Sequence, residues 1–178
     1  LYFTIVKFLG VLLLTFLLLL FPFNTFAATV SVSNVPQNLS HNQEFEIDVM
    51  VSGAASNSQN YLRAAFAHES SSTNYLGYVF NHENSWYSGD PLDKLKFLKI
   101  DINPEGSWSG KLKAKFNPED SAARGSGKYL FKIGRYTSGT DSSADWSTST
   151  NIEILVPTLT PTSTPLPTAT KTQSPTKS

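Results

Sequence analysis

Between Thr29 and Val156 apolar and polar residues alternate in one short run after another, the period-two signature of half-buried strands. In the clearest run Phe45, Ile47, Val49 and Val51 alternate with Glu44, Glu46, Asp48 and Met50, which predicts a strand with three carboxylates on its wet face. Before it, Val30, Val32 and Val35 form a run that Pro36 stops. After it, Tyr61 to His68 and Tyr75 to His82 bracket the polar stretch Glu69 to Asn74. They predict a hairpin with Leu62, Ala64 and Phe66 opposite Phe80, Tyr78 and Leu76. Leu98, Ile100 and Ile102 mark a strand over residues 96–102, ended by Asn103-Pro104-Glu105-Gly106. Trp108, Gly110, Leu112, Ala114 and Phe116 then alternate with Lys111, Lys113 and Lys115, a strand carrying a lysine row outward. The run from Gly125 to Thr137 places Tyr129, Phe131 and Ile133 on one face and Lys128 and Lys132 on the other, which predicts a central strand. Ile152, Ile154 and Val156 close the pattern. About seven or eight strands with no stretch of helical period predict an all-β, antiparallel sandwich over residues 28–156.

The two ends do not share this pattern. Lys7 precedes an apolar run from Phe8 to Phe23, and Thr25 and Ala27 place small side chains at the minus-three and minus-one positions of a cleavage site. Residues 1–27 therefore predict a secretory signal peptide, with an uncleaved membrane anchor as the rival because the run nearly reaches the roughly 18 residues of a spanning helix. From Pro157 to Ser178 the chain is dominated by Pro, Thr and Ser and is too poor in apolar residues to build a core. That composition predicts a disordered, extended stalk.

Charge and cysteine content narrow the function classes. The 178 residues carry 14 Lys and Arg against 14 Asp and Glu, so no net field recruits nucleic acid. The balance is local: residues 29–90 hold Glu44, Glu46, Asp48, Glu69, Glu83 and Asp90 against Arg63 alone, while residues 91–135 are rich in lysine. The two halves are expected to complement each other within one fold. With no cysteine, disulfides, thiolate chemistry and cysteine zinc sites are excluded, and an exported domain must cohere by apolar burial.

Candidate chemistry is sparse. His68-Glu69 and His82-Glu83 repeat a pair without the spacing of a zinc helix, and the expected hairpin separates the two histidines by ~25 Å. Neither a Gly-x-Ser-x-Gly elbow nor a calcium-loop spacing occurs, so no catalytic residue, metal or cofactor is expected. Aromatics are the better candidates. Trp86 and Tyr87 lie in a segment rich in Asn, Ser and Gly, with Tyr75 and Tyr78 in the neighbouring hairpin, and rings presented this way suit stacking on the apolar face of a sugar. Trp108 and Trp146 are expected to serve core or sheet-edge packing. The lysine row Lys111, Lys113 and Lys115 reads as a charged face or a protected edge strand, or as a contact for an anionic polymer.

Tyr129 follows the turn residues Asn117-Pro118-Glu119-Asp120 and Gly125-Ser126-Gly127 and starts a strand. This placement resembles the tyrosine corner of immunoglobulin-like sandwiches, with Phe131 where antibody domains carry a cysteine. Together with the leader, the run Phe45 to Val51, the segment Gly127 to Tyr136 and the Pro/Thr tail, it resembles the surface modules of small-genome bacteria. The resemblance implies a secreted or cell-surface, non-enzymatic interaction or structural module of the envelope, touching the membrane only through its leader if that is uncleaved. The early strands are also similar in pattern to cohesin-like and carbohydrate-binding sandwiches. The partners expected are thus an extracellular glycan or another surface protein; the alternative functions are a carbohydrate-binding module using the loop aromatics and, more distantly, a secreted hydrolase.

Overall fold

The computed structural model describes residues 27–71, 73–139 and 143–155; the expected leader, Ala27 apart, and the expected stalk lie outside the described residues. Eleven strands occur among them: β1 (Thr29–Ser33), β2 (Asn38–Ser40), β3 (Glu44–Ser52), β4 (Gln59–His68), β5 (Tyr78–Phe80), β6 (Trp86–Tyr87), β7 (Leu98–Asp101), β8 (Trp108–Lys115), β9 (Gly127–Thr137), β10 (Asp145–Trp146) and β11 (Thr150–Leu155). A single 3-10 turn, Lys94–Lys96, precedes β7. The strands divide into two sheets, one in the order β1-β3-β8-β5-β6 and the other in the order β2-β11-β9-β4-β7, with β10 also paired to β9.

Alternation along each strand sends one set of side chains between the sheets. From the first sheet come Ile47, Val49, Val51, Leu112 and Ala114, and from the second Leu62, Ala64, Phe66, Tyr129, Phe131, Ile133, Ile152 and Ile154, all buried. The seam between the layers is aromatic. Phe45 of the first sheet meets Phe66 and Phe131 of the second edge-on, with ring centroids 6.1 and 5.5 Å apart, and Phe66 and Phe131 lie 4.9 Å from each other. Phe116, just past β8, touches both Phe66 and Tyr129. Edge-to-face packing of this kind adds about 0.5–1.5 kcal/mol per pair to the burial itself.

β9 is the centre of the second sheet. It pairs with β4 over nine residues, Asn60↔Thr137 to His68↔Tyr129, and on its other side with β11 over Thr150↔Phe131 to Ile154↔Gly127. At its far end β10 replaces β11 as partner, through Asp145↔Arg135 and Trp146↔Gly134. The break between β10 and β11 is a bulge in which Ser147 keeps the ladder satisfied: its N–H donates to the Ile133 carbonyl at 2.9 Å, and its Oγ accepts from the Ile133 N–H at 3.0 Å.

The turn into β9 is closed by Tyr129. Its buried phenol accepts from the Arg124 N–H at 2.8 Å and donates to the Gly125 carbonyl at 3.1 Å, tying the β8–β9 connection to the strand it feeds. Burial raises the phenol above its usual pKa, against the opposing pull of the Arg124 N–H.

Three features depart from the sequence reading. The hairpin of residues 61–68 and 75–82 forms only at its first rung, where Phe66 and Leu76 exchange backbone hydrogen bonds at 2.8 and 2.9 Å. One residue later Gly77, at φ +118°, turns the chain into the other sheet, and β5 pairs with β8 instead of β4. A side chain at Gly77 would be strained, and its Cβ would lie 2.6 Å from the Phe66 ring. Second, the lysine-bearing strand β8 is interior, flanked by β3 and β5, so the protected-edge reading does not hold. Third, β2 runs parallel to β11, so the second sheet is mixed at that margin. The strands missed altogether, β2, β6 and β10, have three residues or fewer, too short to display a period.

Two outcomes test this account. Gly77→Ala is expected to lower unfolding free energy by about 1–3 kcal/mol, measured by urea denaturation, because it forces a strained backbone against a core ring. Tyr129→Phe is expected to cost about 1–3 kcal/mol by leaving the Arg124 N–H and Gly125 carbonyl without their partner. The raised phenol pKa makes the Tyr129 contribution complete below about pH 10 and lost as pH climbs through the folded-state value, so the gap between wild type and Tyr129→Phe should narrow above about pH 10.

Candidate functional site

The outer face of the first sheet gathers most of the residues singled out in the sequence. Register sets Glu44 opposite Lys115, Glu46 opposite Lys113 and Asp48 opposite Lys111, so the acidic row of β3 lies against the lysine row of β8. Acids of the first half of the sequence and lysines of the second thus face each other across one strand pair. Lys111 is the most fully engaged of the three, with its Nζ 3.0 Å from Asp48 and 3.4 Å from Glu46. The Asp48 hydrogen bond, more than that of Glu46, holds the ammonium above its ordinary pKa. Reciprocally Lys111, and after it Asn34, lowers the Asp48 carboxyl. These groups are solvent-exposed, and such pairs contribute little to stability.

Lys113 and Lys115 lean the other way, toward aromatic rings. Lys113 Nζ sits 5.8 Å from the Phe80 centroid, and Lys115 Nζ sits 5.4 Å from Tyr78 and 4.5 Å from Trp86. Phe80 and Trp86 meet edge-on at 5.2 Å as a cross-strand pair of β5 and β6. Tyr78, Phe80 and Trp86 are all half-buried, so each presents part of its ring to solvent. Beside Tyr78 and Lys115 opens a cleft of about 240 Å³, lined also by Asn42, Asn117 and Glu119. Across the Lys111 ion pairs, on the same face, a shallower trough of about 490 Å³ runs between Ser31, Ser33, Met50 and Ser109.

Trp86 and Tyr87, adjacent in sequence, do not share this surface. Consecutive strand residues point to opposite faces, and Tyr87 turns inward, its ring 5.2 Å from the wholly buried Phe97. Its hydroxyl donates to the Pro91 carbonyl and accepts from the Asp93 N–H at 2.9 Å, so Tyr87 braces the loop that follows β6.

Tyr75 belongs to the opposite side of the molecule. On the outer face of the second sheet it lies 4.6 Å from Trp146, and Lys132 Nζ is 4.4 Å from both ring centroids while donating to the Tyr75 hydroxyl at 2.7 Å. Trp146 reaches this position because Gly134 leaves room beneath it: a Cβ there would stand 2.8 Å from the indole. Trp108, by contrast, packs against Gly110 and the main core. The histidines hold separate local positions, His68 Nδ1 with Ser70 Oγ at 2.7 Å and His82 Nδ1 with the Phe97 carbonyl at 3.0 Å. Among the described residues no three His, Asp or Glu side chains converge as a metal-binding group would require.

The sequence therefore named the components of two surface clusters but grouped them differently. Phe80, Lys132 and Trp146 carry weight that sequence reading did not assign to them. The signal available for Phe80 was its parity with Tyr78, and for Trp146 the glycine in the middle of the central strand.

No protein-family model matches this sequence, and no curated protein matches it. Among solved structures, the chain is similar to a β-glucosidase from Listeria innocua in complex with glucose, at 10% identity and a TM-score of 0.37, over 72% of this chain and 16% of the other. It is similar to a conjugative transposon lipoprotein from Bacteroides eggerthii at 16% identity and a TM-score of 0.37, over 71% and 97% of the two chains. A third, the sporulation control protein Spo0M from Bacillus subtilis, matches at 11% identity and a TM-score of 0.38, over 72% and 49%.

Gly134→Ala is expected to displace the Trp146 indole from the sheet and shift its fluorescence emission to longer wavelength. An unchanged spectrum, read in a Trp86→Phe, Trp108→Phe background, would show that the strand does not need the gap.

Proposed function

We propose that the chain is a non-enzymatic, immunoglobulin-like interaction module of the bacterial cell surface, and that the outer face of its first sheet is the contact surface. The observation that carries this reading is the convergence of Tyr78, Phe80 and Trp86 with the ammonium groups of Lys113 and Lys115 on one exposed face, beside a cleft edged by Asn42, Asn117 and Glu119. Export is supported by the leader sequence of residues 1–27.

A glycan is the ligand class this surface suits best. Half-exposed rings offer apolar planes to a pyranose, while amides, a carboxylate and ammonium groups at the margin accept and donate to its hydroxyls. Lys115 covers part of Trp86, but an exposed cation–π contact contributes only about 0.5–1 kcal/mol, and the flexible lysine can swing aside to bond the ligand.

The test is retention of the full-length protein on a glycan array, with Trp86→Ala alongside and far-UV circular dichroism as the check on folding. Binding of a defined glycan class that weakens about tenfold or more in Trp86→Ala is expected. A blank array, or identical retention by a folded Trp86→Ala protein, overturns the assignment.

A further inference from the structure

The other outer face carries a feature that packing alone does not account for. A cleft of about 480 Å³ opens between the segment ahead of β5 and the β8–β9 connection, lined by Arg63, Arg124, Tyr75, Asp120 and Ser121. Arg63 rises from the outer side of β4, half-buried, opposite Gly134 in the register with β9. Its guanidinium is held between the Tyr75 ring at 5.9 Å and the Phe97 ring at 5.5 Å, and one terminal nitrogen donates to the Tyr75 carbonyl at 3.2 Å.

Neither Arg63 nor Arg124 forms an ion pair with a carboxylate among the described residues, although Asp120 lines the same cleft. Arg63 Nε is buried without a hydrogen-bond partner, as is Arg135 Nε, so the two arginines differ in their counter-charge and not at this atom. The contrast within this fold is Arg135. That residue is buried too, but one of its terminal nitrogens is neutralised by Asp145 and the other bonds Asn60. For the buried Arg135 the fold supplies the counter-charge, because an unpaired buried charge is costly. Stacking on two rings explains the plane of Arg63 but not the missing anion. Lys132, beside the same tyrosine, adds a third cation with no carboxylate partner among the described residues.

We infer that this cleft is a second binding site, for an anionic glycopolymer unit: a hydroxylated chain bearing a carboxylate or phosphate group. Two guanidinium groups receive the oxyanion, since arginine matches both acids with paired N–H donors. The polar lining, with hydroxyl, amide and carboxylate groups and almost no apolar wall, suits hydroxyls rather than an apolar side chain. Asp120 is the acceptor for one such hydroxyl; its other role is local, as Oδ1 takes the Ala122 N–H at 2.8 Å. Beyond the cleft lining, Tyr75 packs against Trp146 and Lys132.

This site goes beyond the proposed contact surface and lies on the opposite sheet, so the two fail separately. The experiment is calorimetric titration of the full-length protein with short oligogalacturonates, with glycerol phosphate oligomers, with a neutral cello-oligosaccharide and with polyglutamate. Arg63→Gln, Arg124→Gln and Trp86→Ala are compared with wild type. At least one of the two anionic oligomers is expected to bind, the arm that binds identifying the acid group, and Arg63→Gln or Arg124→Gln should each weaken it about tenfold or more. Trp86→Ala should leave that affinity unchanged whatever it does on the glycan array. Because Arg63 is half-buried and its variant can fail to fold, exposed Arg124 decides in that event. Absence of binding by both anionic oligomers, equal affinity in a folded arginine variant, or polyglutamate binding as tightly as the glycan oligomers overturns the proposal.

Discussion

Cohesion of this protein depends on the aromatic seam between its two sheets. With no cysteine anywhere in the chain, no covalent crosslink ties the layers. Phe45 is the first sheet's contribution to the seam, reaching between Phe66 and Phe131 of the second. Phe116 and Tyr129 extend the contact to the turn that launches the central strand. Each ring presents its edge to a neighbour's face, so the layers are locked in one relative position as well as held together. The polar closure at Tyr129 works in the same place: the phenol that fills the end of the seam also satisfies the backbone of the turn.

A consequence of filling the interior with alternate residues is that the other alternate residues are left to form two outer faces, and these differ. On the first sheet an acidic row lies beside a lysine row across β3 and β8, with Lys111 ion-paired and Lys113 and Lys115 turned to the aromatic rings of the β5–β6 margin. On the second sheet Arg63 and Lys132 contact Tyr75 and Arg124 lines the same cleft, none with a carboxylate partner among the described residues, while Trp146 packs over Gly134. The bulge at Ser147 is what makes this possible. It changes the partner of β9 from β11 to β10, which brings Asp145 to Arg135 on one side of the strand and Trp146 to Gly134 on the other.

The most legible parts of the fold were those where eight or more residues keep one period. Strands β3, β8 and β9 were recovered with their faces, because burial on one side of a strand enforces alternation along its whole length. The tyrosine at the start of β9 was legible too, since turn residues followed by a tyrosine fix its local geometry. The hairpin was read correctly only for Phe66 and Leu76. Alternation continues unbroken through Gly77 into β5, so nothing in the pattern records that the chain has changed sheets. The candidate residues were found singly, by type, and Trp86 with Tyr87 shows why their grouping failed: proximity along a strand is separation across it.

What the amino-acid sequence determined by itself was the inventory: an all-β domain, the inward set of side chains, complementary charges in two halves, and a surplus of aromatics outside the core. Period and residue type are local properties, and they survive without knowledge of the partner strand. Which acid faces which lysine, which rings share a surface, and which arginines have no carboxylate partner among the described residues were decided only by the tertiary structure. Those relations depend on pairing register and on the crossing at Gly77, where residues distant in the chain meet, and no local signal in the sequence encodes the meeting.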